Sequence, residues 1–280
     1  MRRAALAKAR KREQRKRQSL YGGVAVLVVA VIVGAYFVLH DKNSKKSVST
    51  TSTTAPGDST TAVAQPSPPK AGPATPGATL TGDTPCPKAD GTSAKATGFA
   101  KAPPMCIDAK KTYTATFDTS AGIVKVTLDT KKTPMTANNF VVLSLYHYYD
   151  GTSFDRVDDS LDIIQGGSPK TQDITDPGPG YNIQDEGGKF SYAPGDLTMA
   201  RGQAANSASA QYFFVTGPKA SSLDSQGTYV TFGHTTAGLD VLQKVETTVK
   251  ACPADGSDQG CLGGRPDPVV TVKTVTITVA

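Results

Sequence analysis

Four short motifs bring an arginine, two glutamines and a phenylalanine within about sixty residues of one another: Phe154-Asp155-Arg156, Gln165-Gly166-Gly167, Met199-Ala200-Arg201 and Gln211-Tyr212-Phe213-Phe214. They sit between strand-like runs and glycine turns. No metal-ligand cluster or nucleophile–base pair accompanies them, and the three histidines, His40, His147 and His234, are far apart in the chain. A guanidinium, two neutral amides and an aromatic ring suit the binding of a neutral peptide and the polarisation of one bond. They supply neither an attacking group nor a metal-bound water, so hydrolysis is not their chemistry. Each also has a plainer role. Arg156 beside Asp155, Asp158 and Asp159 can be a surface ion-pair partner, Phe213 a core residue, and Gln165 and Gln211 partners for buried backbone groups.

The elements around these motifs are mostly short strands. Tyr113 to Phe117 and Ile123 to Leu128 alternate in strand fashion about a turn at Ser120-Ala121-Gly122, a hairpin signal. Pro134 opens a helical run with Thr133 as N-cap and with Phe140, Leu143, Ser144 and Tyr148 near one face. Strand candidates follow at 153–156, 162–165, 196–200, 211–216 and 228–233, then a short helix over 237–245 and a last alternating strand over 269–279. Many short strands with two helices predict a mainly β fold, a closed antiparallel barrel capped by helices. About 170 residues suffice for one sizeable core.

The remainder of the chain is organised differently. Residues 1–18 carry nine Lys or Arg against the single acid Glu13, so the net +6 of the 280-residue chain belongs to this tail and the rest sums to −2. Leu20 to Leu39 is an uncharged apolar stretch that makes about 30 Å of helix, enough to cross a hydrocarbon core. A cleaved signal peptide and a buried core helix are the rivals. The stretch is longer than a usual signal core, no clear small-x-small site follows, and its flanks are basic and polar, which favours an uncleaved anchor. The positive-inside tendency then places residues 1–19 in the cytoplasm and the C-terminal part outside. A basic tail beside a span sets topology and touches anionic lipid rather than nucleic acid. Residues 40–105, rich in Ser, Thr, Pro, Ala and Gly, are expected to be a disordered linker, and 106–280 the folded domain. Cys86, Cys106, Cys252 and Cys261 lie beyond the span, where oxidation can occur. Their spacing is not zinc-like. Of three pairings, Cys86–Cys106 and Cys252–Cys261 are favoured, because each staples a loop lacking regular structure.

Residues 111–280 resemble the cyclophilins, a family of barrel-shaped peptidyl-prolyl cis-trans isomerases. The motifs carrying the resemblance run in order: the opening hairpin; Thr136 to Phe140; Tyr149-Asp150-Gly151-Thr152-Ser153-Phe154-Asp155-Arg156; Ile164-Gln165-Gly166-Gly167; Gly180-Tyr181; Asp185-Glu186; Gly195 to Ala200; Gln211-Tyr212-Phe213; Leu223-Asp224; Val230 to Gly233; and Gly238 to Leu242. The resemblance implies an eight-stranded barrel and catalysis without a covalent step, cofactor or metal. It implies that Arg156 is the catalytic arginine, that Gln165 and Gln211 hold the substrate backbone, and that Phe213, Leu223 and Ile163 line a proline pocket. Ala200 with Arg201 matches the backbone edge that pairs with the peptide. Expected partners are proline-containing segments of secreted or envelope proteins and, through the anchor, membrane lipid; nucleic acid is excluded and a monomer is expected.

Several positions depart from the family pattern. Asp155 stands where many members have His. The loop Val157-Asp158-Asp159-Ser160-Leu161-Asp162 is one residue longer than the common form, so Leu161 or Asp162 falls where an aromatic wall is expected. Arg201 replaces Asn. Ser222 before Leu223 and Tyr229 stand where eukaryotic members carry Trp and His, as in bacterial members, which implies weak cyclosporin binding. The acids beside Arg156 leave a second reading: a non-catalytic, proline-directed binding module whose arginine is neutralised. A structural envelope protein, in which the tether matters most, is the third.

Overall fold

The structure, a computed structural model, describes residues 66–280. The basic tail, the apolar stretch 20–39 and residues 40–65 lie outside the described residues. Among the described residues no helix is long and apolar enough to cross a membrane.

Alternating burial builds the sheet. In β3 (Tyr113–Thr119) and β4 (Gly122–Leu128), Tyr113, Ala115, Phe117, Val124, Val126 and Leu128 are buried, and the residues between them are less so. After α1 (Pro134–Leu145) come β5 (Thr152–Asp158), β6 (Ile163–Gly166), β7 (Asp196–Met199), β8 (Tyr212–Val215), a 3-10 helix (Pro218–Ser225), β9 (Thr231–Ala237), α2 (Leu239–Glu246) and β12 (Thr271–Val279). Eight strands pair in the order β5–β12–β3–β4–β9–β7–β8–β6, and β6 returns to β5, so the ring closes with every pairing antiparallel. Closure removes the free edges that an open sheet would present. Two short strands that the alternation did not predict, β10 (Val249–Ala251) and β11 (Gly264–Pro266), extend outward from β5.

The barrel interior is aromatic. Phe117 lies 5.2 Å from Phe214 and 5.8 Å from Phe140, and Phe140 stacks on Tyr149 at 5.0 Å. Full burial of each such side chain contributes on the order of 1.5–3 kcal/mol. Helix α1 packs on β9 and β12, α2 on β4 and β6. Thr133 occupies the N-cap position of α1, but its hydroxyl turns back to the Asp129 carbonyl (2.9 Å). The Glu186 carboxylate satisfies the helix instead, accepting from the Met135 and Thr136 amides at 3.2 and 2.5 Å. A negative charge at a helix N-terminus also complements the helix dipole.

The disordered linker expected over residues 40–105 does not extend through 66–105. This stretch straps the barrel through β1 (Ala78–Leu80) and β2 (Ala96–Phe99), a parallel pair. Its backbone is satisfied by the folded domain: Ala74 N donates to Pro169 O, Ala96 N to Tyr146 O and Phe99 N to Pro179 O, at 3.1, 2.9 and 2.8 Å. Phe99 is buried edge-on against Tyr146 and Tyr181. The composition is too poor in large apolar residues to form a core alone; it orders because a few of them insert into one that already exists. Both short-range disulfides are present, Cys86–Cys106 fastening the strap and Cys252–Cys261 closing the loop between β10 and β11. The strap predicts slow hydrogen exchange at the Ala96 and Phe99 amides. Exchange at unprotected rates there would contradict it.

Candidate functional site

A β-bulge decides which side chains of β5 face outward. Phe154 pairs with Gly166 and Arg156 with Gln165, so β5 spends two steps where β6 spends one, and Asp155 is the extra residue. Phe154, Val157 and Ile164 belong to the barrel interior, whereas Ile163, Phe213 and Val215 form a second apolar cluster outside it. In unbroken register Arg156 would share the inward face of Phe154. The bulge moves it to the outer face beside Gln165.

Alternation then carries one cross-strand row over the barrel surface. Arg156 in β5 is opposite Gln165 in β6, Gln165 is opposite Phe213 in β8, and Phe213 is opposite Thr198 in β7. Neighbours in such a row have Cβ atoms about 4.5–5.5 Å apart. Gly167, with φ +100°, ends β6 in a conformation that L side chains rarely adopt, and a Cβ there would come within 2.9 Å of the Ala210 carbonyl. The strand carrying Gln165 therefore turns away tightly beneath Gln211.

The polar side of the row is a chain of hydrogen bonds. Arg156 donates from Nη1 to Gln165 Oε1 at 3.1 Å, and Gln165 Nε2 donates to Gln211 Oε1 at 2.8 Å. Arg156 Nη2 donates to Asp158 Oδ2 at 2.8 Å, both side chains being 15% exposed. The buried Arg156 Nε has no partner among the described residues. Two of the five guanidinium N–H donors are thus committed.

The apolar side is a pocket. Ile163, Phe213, Val215 and Val230 are buried, with Leu161, Ala200, Leu223 and Tyr229 packed around them; the Tyr229 ring meets Phe213 edge-on at 5.6 Å. A groove of about 370 Å³ runs over both sides, and all ten binding or catalytic candidates from the sequence line it: Arg156, Leu161, Ile163, Gln165, Ala200, Arg201, Gln211, Phe213, Leu223 and Tyr229. The Arg201 guanidinium is occupied, pairing with Asp185 at 3.2 Å and donating to the Ala204 and Thr228 carbonyls.

The acidic loop after Arg156 divides its tasks. Leu161, not Asp162, faces the groove. Asp162, held at φ 51°, turns away and accepts from the Lys219 amide at 2.8 Å, near the start of the 3-10 helix that carries Leu223. Lys219 Nζ bonds the Asp159 carbonyl and the Asp162 carboxylate. Only Asp158 engages the arginine. Sequence reading missed Ile174, Asp176, Gly202, Ser207, Ser209 and Leu262 of the groove lining. All lie in irregular segments, where no periodicity marks which side chain faces in.

The bulge leaves Asp155 buried with neither carboxylate oxygen hydrogen-bonded. Burial pushes its carboxyl up to about 7; the nearby Ser168 hydroxyl opposes this, Asp173 and Asp176 add to it, and Arg265 opposes it. A raised carboxyl pKa gives stability that is fully present below the unfolded value of about 3.9 and lost as pH rises through about 7. Asp155→Asn, which stays neutral, should therefore flatten the decline in unfolding free energy between about pH 4 and pH 7. Denaturant titrations with identical pH profiles for the two proteins would contradict this.

Comparison with known proteins places the chain. The family profile for cyclophilin type peptidyl-prolyl cis-trans isomerase matches residues 114–277. Peptidyl-prolyl cis-trans isomerase A of Dickeya dadantii is 33% identical over 132 residues, 45% of this chain and 67% of the relative. The isomerase cyp18 of Streptomyces antibioticus is 31% identical over 140 residues, 48% of this chain and 82% of its own. A solved cyclophilin type isomerase of Cryptosporidium parvum, determined in the presence of the dipeptide Ala-Pro, aligns over 59% of this chain and 98% of its own, at 26% identity and a TM-score of 0.48. The chain belongs to the cyclophilin-type peptidyl-prolyl cis-trans isomerases, and isomerisation of the X-Pro bond is the reaction of that class.

Proposed function

We propose that the groove across β5, β6 and β8 is the isomerase site and that Arg156 is its catalytic residue. The observation carrying this reading is the single cross-strand row Arg156–Gln165–Phe213, which sets a hydrogen-bond donor, an amide and an apolar floor side by side. The X-Pro bond resists rotation by about 18–20 kcal/mol because resonance stiffens its C–N bond. A donor aimed at the prolyl nitrogen favours the pyramidal, unconjugated form that occurs only midway through rotation, and so lowers that barrier selectively. Arg156 keeps the second N–H of each terminal nitrogen, Nη1 and Nη2, for this purpose. Phe213, Ile163, Leu161 and Leu223 grip the proline ring, while Gln165, Gln211 and the Ala200–Arg201 backbone hold the peptide on either side.

The substrates we infer are proline-containing segments of secreted or envelope proteins. The support is the sequence order: a basic tail, an apolar span over residues 20–39, and a domain with two disulfides beyond them. The domain then works as a monomer outside the cytoplasmic membrane, held to the lipid by an uncleaved anchor in the bacterial manner. Ser222, the neighbour of the groove residue Leu223, offers no indole N–H, so cyclosporin binds weakly.

The Arg156–Asp158 pair favours one other reading, a binding module with a neutralised arginine. Arg156→Ala separates the two. Loss of one transition-state donor should lower kcat/KM for a short X-Pro peptide by roughly 10²–10³-fold with an unchanged far-UV spectrum. Equal isomerisation by mutant and wild type would remove Arg156 from the mechanism. A wild type that binds proline-containing peptides but leaves their cis–trans exchange at the uncatalysed rate would support the module instead.

A further inference from the structure

The loop between β10 and β11 brings a leucine to the groove from an unexpected direction. Leu262 lines the groove and is 49% exposed, an unusual state for a large apolar side chain in this domain. It follows Cys261, whose disulfide to Cys252 closes the loop, and Cys252 N donates to Gly263 O at 2.9 Å across the neck. Four further contacts fix the loop. Buried Arg265 donates to both Asp258 oxygens, from Nη1 at 2.5 Å and Nη2 at 3.2 Å. Gly263, at φ +73°, lies so close to the Val157 carbonyl that a Cβ would come within 2.7 Å, and Gly264 pairs with Val157, the neighbour of Arg156. Gly260 sits against the Asp173 carboxylate with no room for a Cβ, beside Ile174, which also lines the groove.

Strand order gives Leu262 its place relative to the proline pocket. Along β11–β5–β6–β8, Leu262 stands just before β11, Arg156 is on β5 and Phe213 on β8. Leu262 is therefore on the opposite side of the arginine from the pocket floor. Three strand spacings are about 14 Å along the sheet, and the chord over a curved barrel is shorter. At about 3.3 Å per residue of extended peptide, this lies two to four residues from the proline.

We infer that Leu262, with Ile174, forms a second apolar subsite that selects substrates carrying a large apolar side chain two to four residues from the proline, and that the Cys252–Cys261 loop positions it. This rests on the groove being the isomerase site. Two features support selection over simple core packing: the leucine is half exposed, and both apolar clusters of the fold exclude it. The disulfide, the bidentate ion pair and the two tight glycine contacts hold the loop in one arrangement, so the subsite is preformed and little ordering cost falls on the peptide.

The test uses the full-length chain in detergent with two peptide sets around one Ala-Pro: a leucine walked from two to four positions on either side, and the same peptides with serine. The wild type should favour leucine at one of these positions by roughly fivefold in kcat/KM, the scale of partly burying one leucine side chain. Leu262→Ala should abolish that preference, lowering the leucine peptides far more than the serine peptides. Cys252→Ser with Cys261→Ser should weaken it in the same direction. Leu262→Ala that lowers all peptides equally, or none, would overturn the proposal. Arg156→Ala measured alongside separates the two levels: if it abolishes turnover while Leu262→Ala keeps the preference, only the subsite fails, and if it leaves turnover intact, the groove assignment itself fails.

Discussion

The bulge at Asp155 is the constraint on which the outer face of this barrel depends. Side chains in a strand alternate, so one inserted residue reverses the face of everything that follows. Here it releases Arg156 from the inward row of Phe154 and sets it opposite Gln165. The same step returns Val157 to the interior and turns Asp158 outward to meet the guanidinium. The cost is carried by Asp155, a buried carboxyl without a hydrogen bond, directly beside the residue it re-aims. Stability has been given up where the site is built, a common pattern at functional positions.

Rigidity surrounds that bulge on both sides. The ring of eight strands closes at the β5–β6 seam, so the Arg–Gln–Phe row cannot splay without opening the barrel. Asp162 ties the acidic loop to the 3-10 helix that carries Leu223, and the Cys252–Cys261 loop braces β5 from its outer edge. The strap over 66–105 packs behind the 168–180 loop through Ala74, Phe99 and the Lys70–Asp173 ion pair. The isomerase site proposed for this groove would gain from walls that are fixed before the peptide arrives.

Much of this was legible in the sequence, for identifiable reasons. Phe213 and Phe214 divide between groove and core because alternation is exact within a short strand, and the motif order assigned Arg156, Gln165 and Gln211 to one surface. The bulge was not legible, since Asp155 has an ordinary strand neighbourhood and only pairing with β6 reveals the extra step. The wall position between Leu161 and Asp162 needed the structure as well: Asp162 turns away to the amide and the ammonium of Lys219, at the start of the 3-10 helix. Glu186 was noticed within a motif, yet its capping of α1 spans fifty residues, beyond any local pattern. The strap over 66–105 was concealed by its composition. Averaged over forty residues it reads as a tether, while the contacts that order it rest on Ala74, Ala96 and Phe99.

Exchange spectroscopy by NMR tests the central claim most directly, with a proline peptide in excess over the isotope-labelled protein. If the outward row made by the bulge performs the isomerisation, cis–trans exchange peaks of the peptide will appear on a sub-second timescale, far faster than the uncatalysed tens to hundreds of seconds. The shifted protein resonances will then centre on Arg156, Gln165, Gln211 and Phe213. Accelerated exchange with its shifts centred elsewhere on the barrel, or shifts in this row without any exchange, would contradict the account.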